Sequence, residues 1–181
     1  MNRKKFLAII LFGCFACRTL TPNPEPDSTP SAPQPAPTTA SQPQPESSPV
    51  TTPGFTIVRL RPDDGDLETL LAEEAAKAAA LGQIPVVEFD ATWCPPCQAI
   101  DAAIADQNKL MLDAYAGAYI IKLDVDEWGW SVGSFKFDAI PVYFKLDEKG
   151  SPTGERIDGG AWNEDIPENI APVMDAFFHE G

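Results

Sequence analysis

The 181 residues carry 13 Lys+Arg against 27 Asp+Glu, a net charge of −14, and no Lys/Arg-rich block lies in the later part of the chain. That excludes a phosphate-binding face and, with it, nucleic-acid binding. The stretch after Cys17 is too poor in apolar residues to join a core, so folding is expected to begin near Phe55 and to give one compact domain.

Asn2-Arg3-Lys4-Lys5 followed by the apolar run Phe6 to Cys17 has the positive start and apolar middle of a secretory signal, and it is too short to span a bilayer as a mature helix. Leu11-Phe12-Gly13-Cys14 resembles the lipobox of bacterial lipoproteins, although Phe12 is bulkier than the residue usual there. The resemblance implies removal of residues 1–13, lipidation of Cys14 and a lipid-anchored N-terminus over residues 14–20. An uncleaved or ordinary signal peptide is the alternative, and Cys17 is a second candidate anchor. Loss of Arg3, Lys4 and Lys5 takes the mature charge to −14 − 3 = −17 when acylation blocks the new amine. Residues 21–53 are built almost wholly from Pro, Thr, Ser, Gln and Ala. Repeated prolines fix φ and remove backbone donors, so this segment is expected to stay a disordered, extended spacer reaching up to about 100 Å.

The folded domain is expected over residues 55–181. Phe55 to Leu60 reads as an edge strand, and Asp66 as the cap of a helix that places Leu67, Leu70, Leu71, Ala75, Ala78 and Leu81 on one stripe and stops at Gly82. Pro85 to Asp90 reads as a strand running into Ala91-Thr92-Trp93-Cys94-Pro95-Pro96-Cys97 and then a helix from Gln98 to Gln107. A further helical piece at Lys109 to Ala116 precedes a strand from Tyr119 to Asp124, which completes a β-α-β unit and implies a parallel strand pair. Trp128 to Phe135 reads as a short, irregular helical connection, and Val142 to Leu146 with Thr153 to Asp158 as a hairpin that makes the sheet mixed. Ile170, Val173, Met174, Phe177 and Phe178 give a final helix, for which Asn169 is the expected cap.

Chemistry concentrates at Cys94-Pro95-Pro96-Cys97. At the junction of a strand and a helix, unpaired backbone N–H groups and the helix dipole stabilise negative charge, so Cys94 is expected to be an easily ionised thiol. Cys97, three residues on, can reach it and close a small ring. The two prolines stand where the first N–H groups of a helix have no internal partner. Three other readings are weighed. A structural zinc wants four Cys/His ligands, and here only these two cysteines and His179 are at hand. A purely structural disulfide across so short a loop stabilises little. A Cu(I) carrier would use the two thiolates without the support of a nearby Met or His.

Val87 to Cys97 resembles the active-site strand and loop of the thioredoxin superfamily, Lys122-Leu123-Asp124-Val125-Asp126 resembles that superfamily's third strand, and Ala139 to Phe144 resembles its Ile-Pro segment. The resemblance covers the chain from about Phe55 onward and implies an α/β thioredoxin fold, a central mixed sheet with helices on both faces. It implies that Cys94 attacks a substrate disulfide and Cys97 resolves the mixed disulfide. Pro141 would be the cis-proline beside the site, leaving the Ile140 backbone to pair with extended substrate, and Trp93 would form part of the rim; an ordinary turn proline and a core aromatic are the alternatives. Glu88 falls where many members have a buried Asp that handles the proton of the resolving thiol: it is a base if buried and a solvated carboxylate if the strand end is wet. Asp90 stands where the superfamily often has an apolar residue, and its charge would disfavour a thiolate at Cys94.

The missing His between the cysteines and the Pro-Pro pair resemble reducing, membrane-anchored members, so a protein-disulfide reductase is expected, with an oxidase or isomerase, or a thiol-based peptide or Cu(I) binding module, as alternatives. No Gly-rich dinucleotide fingerprint and no flavin motif is present, so no cofactor is expected and a partner protein must donate or accept the electrons. Other expected partners are substrate proteins with disulfides or thiols and, through the lipid anchor, a membrane; the protein itself is expected to be a monomer. Export to the periplasmic side of a membrane follows from the lipobox, with the outer membrane preferred because Phe15 provides no Asp retention signal; the outer cell surface is the alternative.

Overall fold

The computed structural model describes residues 50–52 and 54–180. The segment expected to be a signal, Cys14, Cys17 and nearly all of the expected Pro-rich spacer lie outside the described residues. One six-stranded mixed sheet runs in the order β1-β2-β4-β3-β5-β6, with β1 Val50–Thr52, β2 Phe55–Arg59, β3 Ile84–Asp90, β4 Ala118–Asp124, β5 Val142–Leu146 and β6 Pro152–Asp158. β3 and β4 are parallel, as are β2 and β4, whereas β1, β5 and β6 pair antiparallel with their neighbours. The mixed sheet with helices on both faces agrees with the expected fold class.

The helix α1, Leu67–Leu81, begins and ends where the sequence places it. Asp66 accepts a hydrogen bond from the Thr69 N–H at 3.0 Å, and Gly82 closes the helix at φ +66°, a left-handed conformation that glycine adopts without a Cβ penalty. Its buried stripe, Leu67, Leu71 and Ala78, packs on one sheet face with Val87, Phe89, Ile121, Leu123 and Phe144. The opposite face carries α2 Pro95–Ala105, α3 Lys109–Tyr115 and α5 Pro167–His179, which bury Ile100, Met111, Tyr115, Ile170, Met174 and Phe178 against Val86, Ile120 and Tyr143. The alternation along β3 decides which residue faces which layer.

Four local expectations are corrected. Val50–Thr52 pairs with β2, so the spacer ends in a strand and Phe55–Arg59 is an interior strand instead of an edge. α2 starts at Pro95, since proline at the first helical positions sacrifices no hydrogen bond, and it ends at Ala105, two residues before Gln107. The helical turn expected at Trp128 to Phe135 is instead α4, Val125–Trp128, stopped by Gly129 at φ +85°, and the following chain is irregular while Phe135 is buried against Phe89 and Phe144. α5 is capped at Ile166, not Asn169; Pro167 presets the first helical φ, and Asn169 lies inside the first turn.

Candidate active site

β3 delivers the chain directly into the site: Phe89 and Val87 face the core under α1, and the strand ends at Asp90, four residues before Cys94. Cys94 is the N-cap of α2, with Pro95 and Pro96 in its first turn. Cys94 and Cys97 are joined as a disulfide with Cα atoms 5.3 Å apart. The Cys97 backbone N–H donates to Cys94 Sγ at 3.3 Å, so an orphan amide of the helix start is aimed at the first sulfur. Both cysteines are buried and belong to the α1-side core cluster, against which Ile140 also packs. The Ile140–Pro141 peptide is cis, and the Pro141 carbonyl accepts a hydrogen bond from Gly159.

Trp93 is 53 % exposed and therefore a surface residue beside Cys94, not a core aromatic. Its indole Nε1 donates to Asp126 Oδ2 at 2.8 Å, and its ring stacks on Trp130 with centroids 6.4 Å apart. Trp130, itself exposed, also contacts Phe137.

Glu88 is buried, 1 % exposed, so it is not a solvated carboxylate at a wet strand end. Cross-strand register puts it in a row with Lys122 of β4 and Arg59 of β2 on one side and Tyr143 of β5 on the other. Burial pushes its carboxyl up to about 7, with Lys122 pulling down and Asp90 and Asp101 pushing further up. Glu88 Oε1 is 3.3 Å from Lys122 Nζ, yet it accepts no hydrogen bond; that distance is proximity without hydrogen-bond geometry.

The Asp90 charge expected to disfavour a thiolate is compensated. Arg59 grips it with two hydrogen bonds of 2.9 and 2.6 Å, and Lys122 Nζ lies 3.0 Å from it. Burial alone would raise the Asp90 carboxyl, but these two cations hold it below its usual range. Burial likewise works against Lys122, but Glu88, Asp90 and Asp101 together hold its ammonium above the ordinary lysine value. Lys122 Nζ is 2.5 Å from Asp101 of α2. Behind Glu88, Tyr115 and Tyr143 share a buried hydroxyl pair at 3.2 Å, and burial pushes both phenols up.

Arg59, Asp101, Asp126, Lys122 and Trp130 were not singled out as site residues from sequence. Two of them left a signal: a lysine inside the apolar run of β4 needs a buried partner, and Asp101 stands one helical turn after Cys97, on the same helix face.

The sequence profile of the Thioredoxin family matches residues 71–172, more than half of the chain. Thioredoxin H3 of Arabidopsis thaliana is 40% identical over 63 residues, covering 35% of this chain and 50% of that protein. A thioredoxin H-type of Oryza sativa subsp. indica is 26% identical over 123 residues, covering 68% of this chain and 90% of its relative. The crystal structure of Schistosoma mansoni thioredoxin is 29% identical, covers 67% of this chain and 92% of that one, and superposes with a TM-score of 0.42. Strand, cysteine pair and profile agree: this chain belongs to the thioredoxin family of disulfide oxidoreductases.

Proposed function

We propose that this chain is an extracytoplasmic, lipid-anchored thiol-disulfide oxidoreductase that reduces disulfides in other proteins through Cys94 and Cys97. The observation that carries the reading is the Cys94–Cys97 pair at the start of α2, with a backbone N–H aimed at Cys94 Sγ. In the reduced form, Cys94 as thiolate attacks one sulfur of a substrate disulfide; an S–S bond forms to Cys94 and one substrate thiolate leaves. Cys97 then loses its proton to Glu88 and attacks Cys94 Sγ. The second substrate thiolate leaves, the Cys94–Cys97 disulfide closes, and the substrate has gained two electrons. Glu88 suits the proton step because its proton affinity lies near neutrality.

Trp93 forms the rim at which substrate docks, and Ile140 beside Pro141 provides backbone for an extended substrate segment. A separate donor protein returns the electrons. Cys14 and the apolar run before it supply the reading of export and anchoring, which predicts that Cys14→Ser abolishes metabolic labelling with palmitate and releases the protein from membranes; unchanged labelling would contradict the anchor.

The test is insulin-disulfide reduction with the purified chain. Cys94→Ser should abolish it, and Cys97→Ser should accumulate mixed disulfides with substrate. Wild-type protein that reduces nothing and traps nothing, yet binds Cu(I) tightly, would replace this reading with a metal carrier.

A further inference from the structure

The cluster beside Glu88 sets three carboxylates, the enclosed Glu88 and Asp90 and the half-exposed Asp101, against two cations, Lys122 and Arg59. Glu88 Oε1 is enclosed and accepts no hydrogen bond, and an enclosed carboxylate that no cation hydrogen-bonds is costly enough that the cluster retains a proton. Geometry decides where that proton resides. Arg59 commits both its terminal nitrogens to Asp90. Lys122 Nζ comes to 2.5 Å from Asp101 and 3.0 Å from Asp90, and stays at 3.3 Å from Glu88 without a hydrogen bond. The phenols of Tyr115 from α3 and Tyr143 from β5 also face Glu88, both neutral and bonded to each other, and in the reduced protein the Cys97 thiol of α2 is the group whose proton Glu88 accepts under the proposed function.

We propose that Asp101 is a positioning residue: by drawing Lys122 toward α2 it leaves Glu88 as the one carboxyl of the cluster that no cation hydrogen-bonds, so the retained proton sits on Glu88. This rests on the reading above that Glu88 accepts the proton of Cys97, which only the ionised Glu88 can do; it names what keeps the proton affinity of Glu88 near neutrality, where both its forms are populated. Asp101, on α2, is half exposed, whereas Glu88, Asp90 and Lys122 are enclosed. A surface carboxylate one turn after Cys97 thus sets the protonation of a carboxyl on the neighbouring strand.

The experiment follows the Glu88 carboxyl by carbon-13 NMR in the full-length reduced protein, with Glu88→Gln identifying the signal, and determines the crystal structure of Asp101→Asn. Asp101→Asn should move the Glu88 titration toward acid by about one pH unit, and Lys122 Nζ should come into hydrogen bond with Glu88. Asp101→Glu, which keeps a carboxylate within reach of Lys122, should restore the wild-type titration. An unmoved titration in Asp101→Asn overturns the proposal. A moved titration with Lys122 still turned away also overturns it, because Asp101 would then act as a distant charge and not through Lys122. The pH profile of mixed-disulfide resolution is read separately. A profile that Glu88→Gln leaves unchanged removes Glu88 from the chemistry, while the assignment of Asp101 is still decided by the titration and the position of Lys122.

Discussion

Glu88 shows how far a single position can be read from sequence. A carboxylate at the end of an apolar strand was visible; its burial was not, because it depends on Lys122 and Tyr143 arriving beside it from strands far along the chain. The same holds for Arg59 and Asp90, whose pairing bridges 31 positions, and for Trp130, which meets Trp93 only once the irregular segment after α4 folds back. Burial of Glu88 leaves a measurable mark on stability. Its carboxyl is raised from 4.5 to about 7 in the folded protein. Between those values the folded chain keeps a proton that the unfolded chain has lost. Stability from this group is therefore complete below pH 4.5 and is lost as pH rises through 7. Asp90, held low, works in the opposite sense and loses its contribution as pH falls. Glu88→Gln should accordingly gain on wild type by about 3 kcal/mol across the Glu88 window, measured by urea unfolding at a series of pH values. A difference that does not vary with pH would mean that Glu88 is not held protonated.

Elements with strong local signals were legible: α1 carries both its cap and its stop in sequence, and the strand, loop and helix order at Cys94 follows from residue types alone. Elements defined by their surroundings were not. β1 exists because β2 offers it an edge, and α5 starts at a proline with no side-chain cap. The turn between β5 and β6 belongs to the same class. Gly150 there has φ +79°, and a Cβ would meet the Leu71 carbonyl carbon at 2.5 Å and the Ala72 nitrogen at 2.6 Å. The turn thus packs on the backbone of α1, and no neighbouring side chain can yield to make room. Gly150→Ala should cost about 3 kcal/mol, seen as a lower urea midpoint with the slope unchanged. An unchanged midpoint would show that turn and helix do not touch so closely.

For the molecule as a whole, the family and fold fix the type of chemistry and leave its direction to the potential of the cysteine pair. Pairing with Arg59 and Lys122 offsets the Asp90 charge that the sequence set against a thiolate at Cys94. A reducing role predicts a midpoint potential nearer thioredoxin's, about −270 mV, than the roughly −120 mV of a strong periplasmic oxidant, measured by equilibration against glutathione or dithiothreitol. A value at the oxidising end would make the protein an oxidase of the same fold. Among the described residues no helix is long and apolar enough to cross a membrane. Beneath direction and location lies the requirement that Cys94 be ionised at the start of α2. Iodoacetamide alkylation of the reduced protein across pH tests it most directly. Cys94 alone should react rapidly, with a rate already at its plateau at neutral pH; a rate still climbing above pH 8 like that of a free peptide thiol would show that Cys94 is not held ionised.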